Sequence, residues 1–323
     1  MVSLRSRLLY AVLACAVVGG GTAAGTVYLN ERAGTAVAVA PLTTEGETVP
    51  RPSAEPSAEP AADHDALLSE AMAAVAARKD GADLSVAVLD PETGESAGYG
   101  DGAFATASIV KVDILAALLL RAQDEGRSLT AAERTYATAM IENSDNASAT
   151  ALWRTIGRAG GLDAANARFG LTATEGGDGD LWGLTETTAA DQLALLRQVF
   201  EEDGSELTVA SRTYLQGLME HIADGQDWGV SAAGSPAALK NGWLPRSSTG
   251  LWVINSIGRV TVDGHAYLVA ALSQGNAGQA DGISLVEAAA KAAVSVFTGT
   301  GTDTGTGTGT GTGASSSAAQ KSS

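Results

Sequence analysis

The pattern of apolar and polar positions divides the chain into segments of different character. Leu8–Leu29 is apolar without a charge and follows the basic Arg5 and Arg7. It reads as a secretory signal or a signal anchor within residues 1–32, and at roughly 22 residues it is long enough to span a bilayer. Residues 33–63 are rich in Ala, Pro, Glu, Ser and Thr, and Ser53-Ala54-Glu55-Pro56 recurs at Ser57-Ala58-Glu59-Pro60. Such a composition predicts an extended, disordered linker. Residues 298–323 are mostly Thr-Gly repeat and Ser/Ala, with no large apolar side chain to bury, and read as a disordered tail. A folded body is left at residues 64–297.

Within that body the period of the pattern changes from helix to strand and back. Asp65–Lys79 is Ala-rich and amphipathic, as a helix would be. Leu84–Leu89 alternates as a strand, Asp90-Pro91-Glu92-Thr93-Gly94 supplies a turn, and Ser96–Gly100 returns as a second strand. Ser108–Gln123 is a helix whose apolar residues occupy most of its circumference, so it should be buried all round. Residues 130–200 are helical in pattern, broken at Gly157, at Gly160-Gly161 and at a glycine-rich loop over 175–183. Strand patterns come back at Leu251–Asn255, Ile257–Val262 and Tyr267–Leu272, and Glu287–Phe297 closes the body as a helix. Strands at both ends with helices between predict an α+β fold. One antiparallel sheet is built from both ends of the domain and flanked by helices, and the remaining helices form a separate all-helical lobe.

Charge and rare residues narrow the chemistry. The formal net charge is −17, from 20 basic and 37 acidic side chains. No basic stripe is available for phosphates, so nucleic acid is not expected as a partner. The single cysteine, Cys15, lies in the leader, where Val12-Leu13-Ala14-Cys15 faintly resembles a lipoprotein box. The body therefore has no disulfide or thiolate chemistry of its own. His64, His221 and His265 show no metal-ligand spacing, and no metal or other cofactor is expected. The leader places the body outside the cytoplasm, either secreted or tethered to the membrane through residues 8–29, and nothing in the pattern signals an oligomer.

Three short motifs carry the candidate chemistry. In Ser108-Ile109-Val110-Lys111 the serine and lysine share one helical face. A buried lysine is costly unless paired or used, and both burial and a nearby cation would make it a base by lowering its pKa. A capping serine with a solvent-seeking lysine has the same spacing. Of the chain's five lysines, only Lys111 has a serine three residues before it. The second motif, Ser144-Asp145-Asn146, lies between two helical patterns, where a helix N-cap would also be at home. The third, Lys240-Asn241-Gly242, precedes Trp243 and a strand, and an edge lysine followed by a turn glycine would look alike.

Together the motifs resemble the serine penicillin-recognising enzymes, and most closely the class A beta-lactamase-like serine hydrolases. The resemblance covers about residues 64–297, and the phrase Met140-Ile141-Glu142-Asn143-Ser144-Asp145-Asn146-Ala147 supports that branch. It implies the beta-lactamase/D,D-peptidase fold and an acyl-enzyme at Ser108, formed with a beta-lactam or peptide-like amide. Lys111 would be the general base, and Ser144 would pass a proton to the departing nitrogen. Asn146 would hold the substrate's acylamide, and Asp145 would order its loop. Lys240 would bind Ser144 and attract the substrate carboxylate at an edge completed by Asn241, Gly242 and Trp243. The backbone N–H groups of Ser108 and Trp243 would form the oxyanion hole.

Two departures from the family pattern change what is implied. Asn241 and Trp243 are bulkier than the residues usual at their positions. The loop over 172–187 lacks the pattern that supplies a deacylating glutamate, and leaves Glu175, Asp178, Asp180 and Glu186 as candidate carboxylates. Slow release of the acyl group follows from that lack. D,D-peptidase-like or esterase activity at the same site, and a non-catalytic envelope-tethered binding domain on the same fold, are the alternatives.

Overall fold

The computed structural model describes residues 63–299 apart from Lys79. The expected leader with Cys15, and all but the edges of the expected linker and tail, lie outside the described residues. Among the described residues no helix is long and apolar enough to cross a membrane.

In chain order the elements are α1 (His64–Ala76), β1 (Asp83–Leu89), β2 (Ser96–Tyr99), β3 (Phe104–Ala105), α2 (Val110–Asp124), α3 (Ala131–Glu142), α4 (Asn146–Ile156), α5 (Arg158–Phe169), β4 (Glu186–Thr187), α6 (Ala189–Phe200), α7 (Val209–Met219), β5 (Ala237–Pro245), β6 (Trp252–Val262), β7 (His265–Asn276) and α8 (Gln279–Thr298). The main sheet has strand order β2-β1-β7-β6-β5, every pair antiparallel. Strands from the two ends of the body meet at β1–β7, which is the predicted α+β layout. The two stretches expected as separate strands after Leu251 are one strand, β6, with a register shift near its start between Trp252 and Ile254.

Both faces of this sheet are covered. Along β7, Leu268, Ala270 and Leu272 join the core of the helical lobe, while Tyr267, Val269 and Ala271 join a second core beneath α1 and α8. The period of two in a strand sends alternate side chains to opposite cores. Because each core is apolar, β1 reads as a nearly unbroken hydrophobic run rather than a half-exposed strand.

The helix predicted from Ser108 is two pieces, a 3-10 turn at Ala107–Ile109 followed by α2. Ala107 has a φ of +48°, a left-handed conformation for a residue with a Cβ, and strain of this kind costs on the order of 1–3 kcal/mol. The chain thus turns sharply from β3 into the helix, and the first turn is tightened. Beyond it, α2 is enclosed on all sides. Ile114, Leu115, Leu118 and Leu120 are buried in the core of the helical lobe, and each large apolar side chain contributes about 1.5–3 kcal/mol relative to exposure.

Two ionisable groups are carried inside with them, Lys111 and Asp113. Asp113 is fully enclosed, with the Asn166 side chain as its polar neighbour but with no hydrogen bond of good geometry to either carboxyl oxygen among the described residues. Burial pushes its pKa up to about 8. The unfolded chain ionises this carboxyl near its ordinary value of 3.8 while the folded chain keeps it protonated, so between those two values folding stability falls as pH rises. We expect Asp113→Asn to raise stability at neutral pH, by up to about 4 kcal/mol from the roughly three pKa units between 3.8 and neutrality at ~1.4 kcal/mol each, and to flatten this decline. Urea denaturation at pH 5 and pH 8 checks it. An unchanged difference between the two pH values would show that Asp113 is ionised in the fold.

Candidate active site

Ser108 sits in the 3-10 turn, half-buried, at the point where α2 meets the edge of the sheet. Lys111, one turn on, has no solvent-exposed surface. Its Nζ lies 2.9 Å from Ser108 Oγ, 2.7 Å from the Ser144 carbonyl oxygen, 3.0 Å from Ser144 Oγ and 2.8 Å from Asn146 Oδ1. The first two motifs, 33 residues apart in sequence, therefore meet at one amine.

The loop that supplies the second motif is held in a specific shape. Ser144 has a φ of +55°, again left-handed. Asp145 caps α4, its Oδ1 accepting the Ser148 N–H at 2.7 Å. These hydrogen bonds from Ser148 hold the Asp145 carboxyl below its ordinary pKa. Asp145 is thus the cap of α4. With the cap in place, Ser144 and Asn146 flank the amine on one side.

The third motif lies on β5, the edge strand nearest Ser108. Lys240 is as completely buried as Lys111, and its Nζ donates to Ser144 Oγ at 3.1 Å and to the Asn241 carbonyl at 3.0 Å. Strand parity separates the other members of the motif. Lys240 and Gly242 face the helical lobe, whereas Asn241 and Trp243 face the α8 side. The Asn241 amide donates to the carbonyls of Gln226 and Trp228, both at 2.8 Å. The Trp243 ring packs edge-on against Trp228 at 6.0 Å. The structure thus gathers Ser108, Lys111, Ser144, Asn146 and Lys240, with Gly242 alongside. The side chains of Asn241 and Trp243 are turned away from that cluster, so their expected contribution at a carboxylate-binding edge has no side-chain geometry behind it.

Electrostatics follow from enclosure. Burial lowers the Lys111 pKa to about 7, and the Asp145 carboxylate opposes the drop. Burial also lowers Lys240 well below its ordinary value, and Lys111 adds to that effect. Of the two expected causes of Lys111's lowered pKa, burial and a nearby cation, burial is the one that acts, and the charge effect between the lysines falls on Lys240.

None of the four loop carboxylates has a hydrogen bond to Ser108 or Lys111. Asp180 is paired with Arg154 and Arg158, whose hydrogen bonds hold its pKa down to about 2. Glu175, Asp178 and Glu186 line a cavity of about 350 Å³ together with Ala105, Leu181 and Arg246. The residue of this loop that reaches the amine is Trp182, whose ring centroid lies 4.8 Å from Lys111 Nζ.

Two residues at the site carry no motif that sequence reading could use. Trp182 is one. Asn255, buried on β6, is the other; its amide donates to the carbonyls of Ala105 and Thr106 at 2.9 and 3.0 Å and fastens the approach to Ser108 onto the sheet. A polar residue inside the strand-like run Leu251–Asn255 was the available signal for Asn255.

Comparison with known proteins gives a consistent picture. The model of the beta-lactamase enzyme family matches residues 67–134 and 132–297. Among curated proteins, "Putative lipoprotein LppW" of Mycobacterium tuberculosis is 29% identical over 173 residues, 51% of this chain and 55% of that protein. The chain thus matches about half the length of this curated relative. Among solved structures, a beta lactamase from Xanthomonas campestris has a TM-score of 0.60 at 22% identity, covering 72% of this chain and 98% of that one. A mutant of PBP-A, in an acyl-enzyme complex with penicillin G, has a TM-score of 0.62 at 20% identity, with 72% and 97% covered. The TLA-1 extended-spectrum beta-lactamase has a TM-score of 0.63 at 17% identity, with 72% and 99% covered. At these identities the likeness is one of fold.

Gly242 is where β5 passes closest to the turn that carries Ser108. A Cβ there would stand 2.7 Å from the Thr106 carbonyl oxygen and 2.8 Å from the Ser108 nitrogen. Both are backbone atoms and cannot rotate aside. We expect Gly242→Ala to push β5 off the turn that carries Ser108 and to destabilise the fold by about 1–3 kcal/mol, as overpacking does. A melting temperature equal to that of the unsubstituted protein would contradict the close approach.

Proposed function

Because this chain belongs to the beta-lactamase enzyme family, we propose that it is an extracytoplasmic serine hydrolase that forms an acyl-enzyme at Ser108 with beta-lactam or related amide substrates and releases the acyl group slowly. The observation that carries this reading is the single amine of Lys111 placed between the Ser108 hydroxyl and the Ser144 hydroxyl.

Hydrogen-bond capacity determines what that amine does. The Ser144 carbonyl and Asn146 Oδ1 can only accept, so they take two N–H groups of Lys111. A neutral amine then has its lone pair left for the Ser108 proton. As Ser108 Oγ attacks the substrate carbonyl, Lys111 takes the hydroxyl proton. Ser144 Oγ, 3.0 Å away, relays a proton to the departing nitrogen and is replenished from Lys111. The backbone N–H groups of Ser108 and Trp243 serve the oxyanion, at about 3 kcal/mol for each donor lost. Asn146 and Lys240 engage the substrate's amide and carboxylate. Slow release follows from the loop, whose carboxylates are bound to Arg154 and Arg158 or turned to the cavity beside Arg246. That feature also favours the D,D-peptidase-like variant of the same chemistry, in which no loop carboxylate takes part.

The extracytoplasmic placement is supported by the apolar leader and by the lipoprotein name of the mycobacterial relative. A tether through residues 8–29 would hold the domain at the membrane surface.

The test is intact-protein mass spectrometry after incubation with penicillin G. We expect an adduct on the protein and none on Ser108→Ala. Lys111 acts only when neutral, so the acylation rate should rise as pH increases through about 7 and level off above it. A folded protein that acquires no adduct would overturn the proposal, and rapid steady hydrolysis of a chromogenic cephalosporin would overturn slow release.

A further inference from the structure

The loop between α5 and β4 is closed at its base. Glu175 and Glu186 exchange both backbone hydrogen bonds, at 2.9 and 3.0 Å, and the Thr106 N–H donates to the Thr185 carbonyl at 2.8 Å. Its far side is fastened to one face of α4. The Trp153 indole donates to the Gly179 carbonyl at 2.8 Å, Arg154 pairs with Asp180, and the Trp182 indole donates to Thr150 Oγ1 at 3.1 Å. Residues 150, 153 and 154 lie three and four apart, on the stripe that a helix turns to one neighbour. Thr150 in turn donates to the carbonyl of Asn146, a residue that touches Lys111. The outcome of all these ties is the placement of one ring, that of Trp182, over the amine.

We propose that Trp182 sets the lifetime of the Ser108 acyl-enzyme, its ring filling the space over Lys111 that the four surrounding oxygens leave and so keeping a hydrolytic water away from the amine. The inference rests on the acyl-enzyme reading above and adds a positioning residue to it. Release requires water to attack the acyl carbonyl. A water-oxygen-to-carbon bond forms, the carbon-to-Oγ bond of Ser108 breaks, and one water proton passes through a base to Oγ. Lys111 is the base within reach of Oγ, and it has no exposed surface. An indole offers no acceptor that could take the water's proton in its place. The protein thus keeps the base that forms the ester and covers it against the molecule that would cleave it.

The experiment compares three proteins, unsubstituted, Trp182→Ala and Trp182→Phe, each acylated with penicillin G and followed by intact mass as the adduct decays. Trp182→Ala should lose its adduct at least tenfold faster. Its acylation midpoint should also move to higher pH, because water reaching the amine relieves the burial that lowers the Lys111 pKa. Trp182→Phe keeps a ring without the bond to Thr150 and should stay within about threefold of the unsubstituted protein in both readouts. Equal adduct lifetimes in the Ala variant and the unsubstituted protein would overturn the inference while leaving acylation intact. Release as fast in the Phe variant as in the Ala variant would overturn it too, assigning the effect to the Thr150 bond. Absence of any adduct on the unsubstituted protein would remove the acyl-enzyme reading and this inference together. Should Trp182→Ala not fold, Trp182→Leu carries the test, with release at least threefold faster expected and an unchanged rate overturning the inference.

Discussion

The enclosure of the Lys111 amine is the constraint on which the site depends. An ammonium without exposed surface is stable only if polar atoms replace water around it. Here the replacements are a serine hydroxyl, a second serine's hydroxyl and carbonyl, and an asparagine amide oxygen, all within 3.0 Å. None of the four is an anion. The shell therefore solvates the amine without fixing its charge, and the pKa falls to about 7. A carboxylate in the same shell would have held the lysine protonated and unfit to receive a proton. Asp145 is near enough to oppose the fall, yet it is committed to the N-terminus of α4 and does not touch the amine.

Such a shell has to be assembled from separate elements, and the fold supplies each with little freedom. The left-handed turn at Ala107 brings Ser108 onto the edge of β5, and Gly242 lets the strand pass where a side chain would strike the turn's backbone. Asn255 fastens Ala105 and Thr106 to the sheet. On the opposite side the left-handed Ser144 and the Asp145 cap set the second wall. Strained residues stand at both walls, Ala107 and Ser144. Conformations of this kind persist where the surrounding contacts over-determine them, and the buried length of α2 with the β6–β7 ladder does so here.

Much of this was legible in the sequence because it depends on local spacing. The Ser108–Lys111 face, the cap at Asp145 and the all-round apolar α2 are consequences of helical periodicity. The antiparallel sheet built from both ends follows from where the strand patterns fall. What escaped was decided by placement across the fold. The motif groups Lys240 with Asn241, Gly242 and Trp243, but a strand alternates its faces, so Asn241 and Trp243 turn to the α8 side. The loop over 172–187 offered four carboxylates, and composition could not show that Asp180 is taken up by two arginines or that an indole stands over the amine. Asn255 lay in an apolar run with no motif to mark it. Of the two causes that local reasoning offers for a lowered Lys111 pKa, burial and a nearby cation, burial is the one at work.

The two lysines also constrain each other through Ser144. Its Oγ lies 3.0 Å from Lys111 and 3.1 Å from Lys240, and both amines lack solvent. A hydroxyl has one proton and two lone pairs. If both lysines donate to Oγ, its own proton is free to point toward a substrate, which is the arrangement a proton donor to a leaving group requires. If Lys111 has instead given up a proton and turned its lone pair to Ser108, Lys240 alone holds Ser144 in place. Burial disfavours charge on either amine, so neither lysine is an ordinary ammonium group, and Ser144 Oγ is the partner the two share. In the proposed reaction Lys240 is then the contact that keeps the Ser144 hydroxyl oriented while Lys111 takes up and returns a proton.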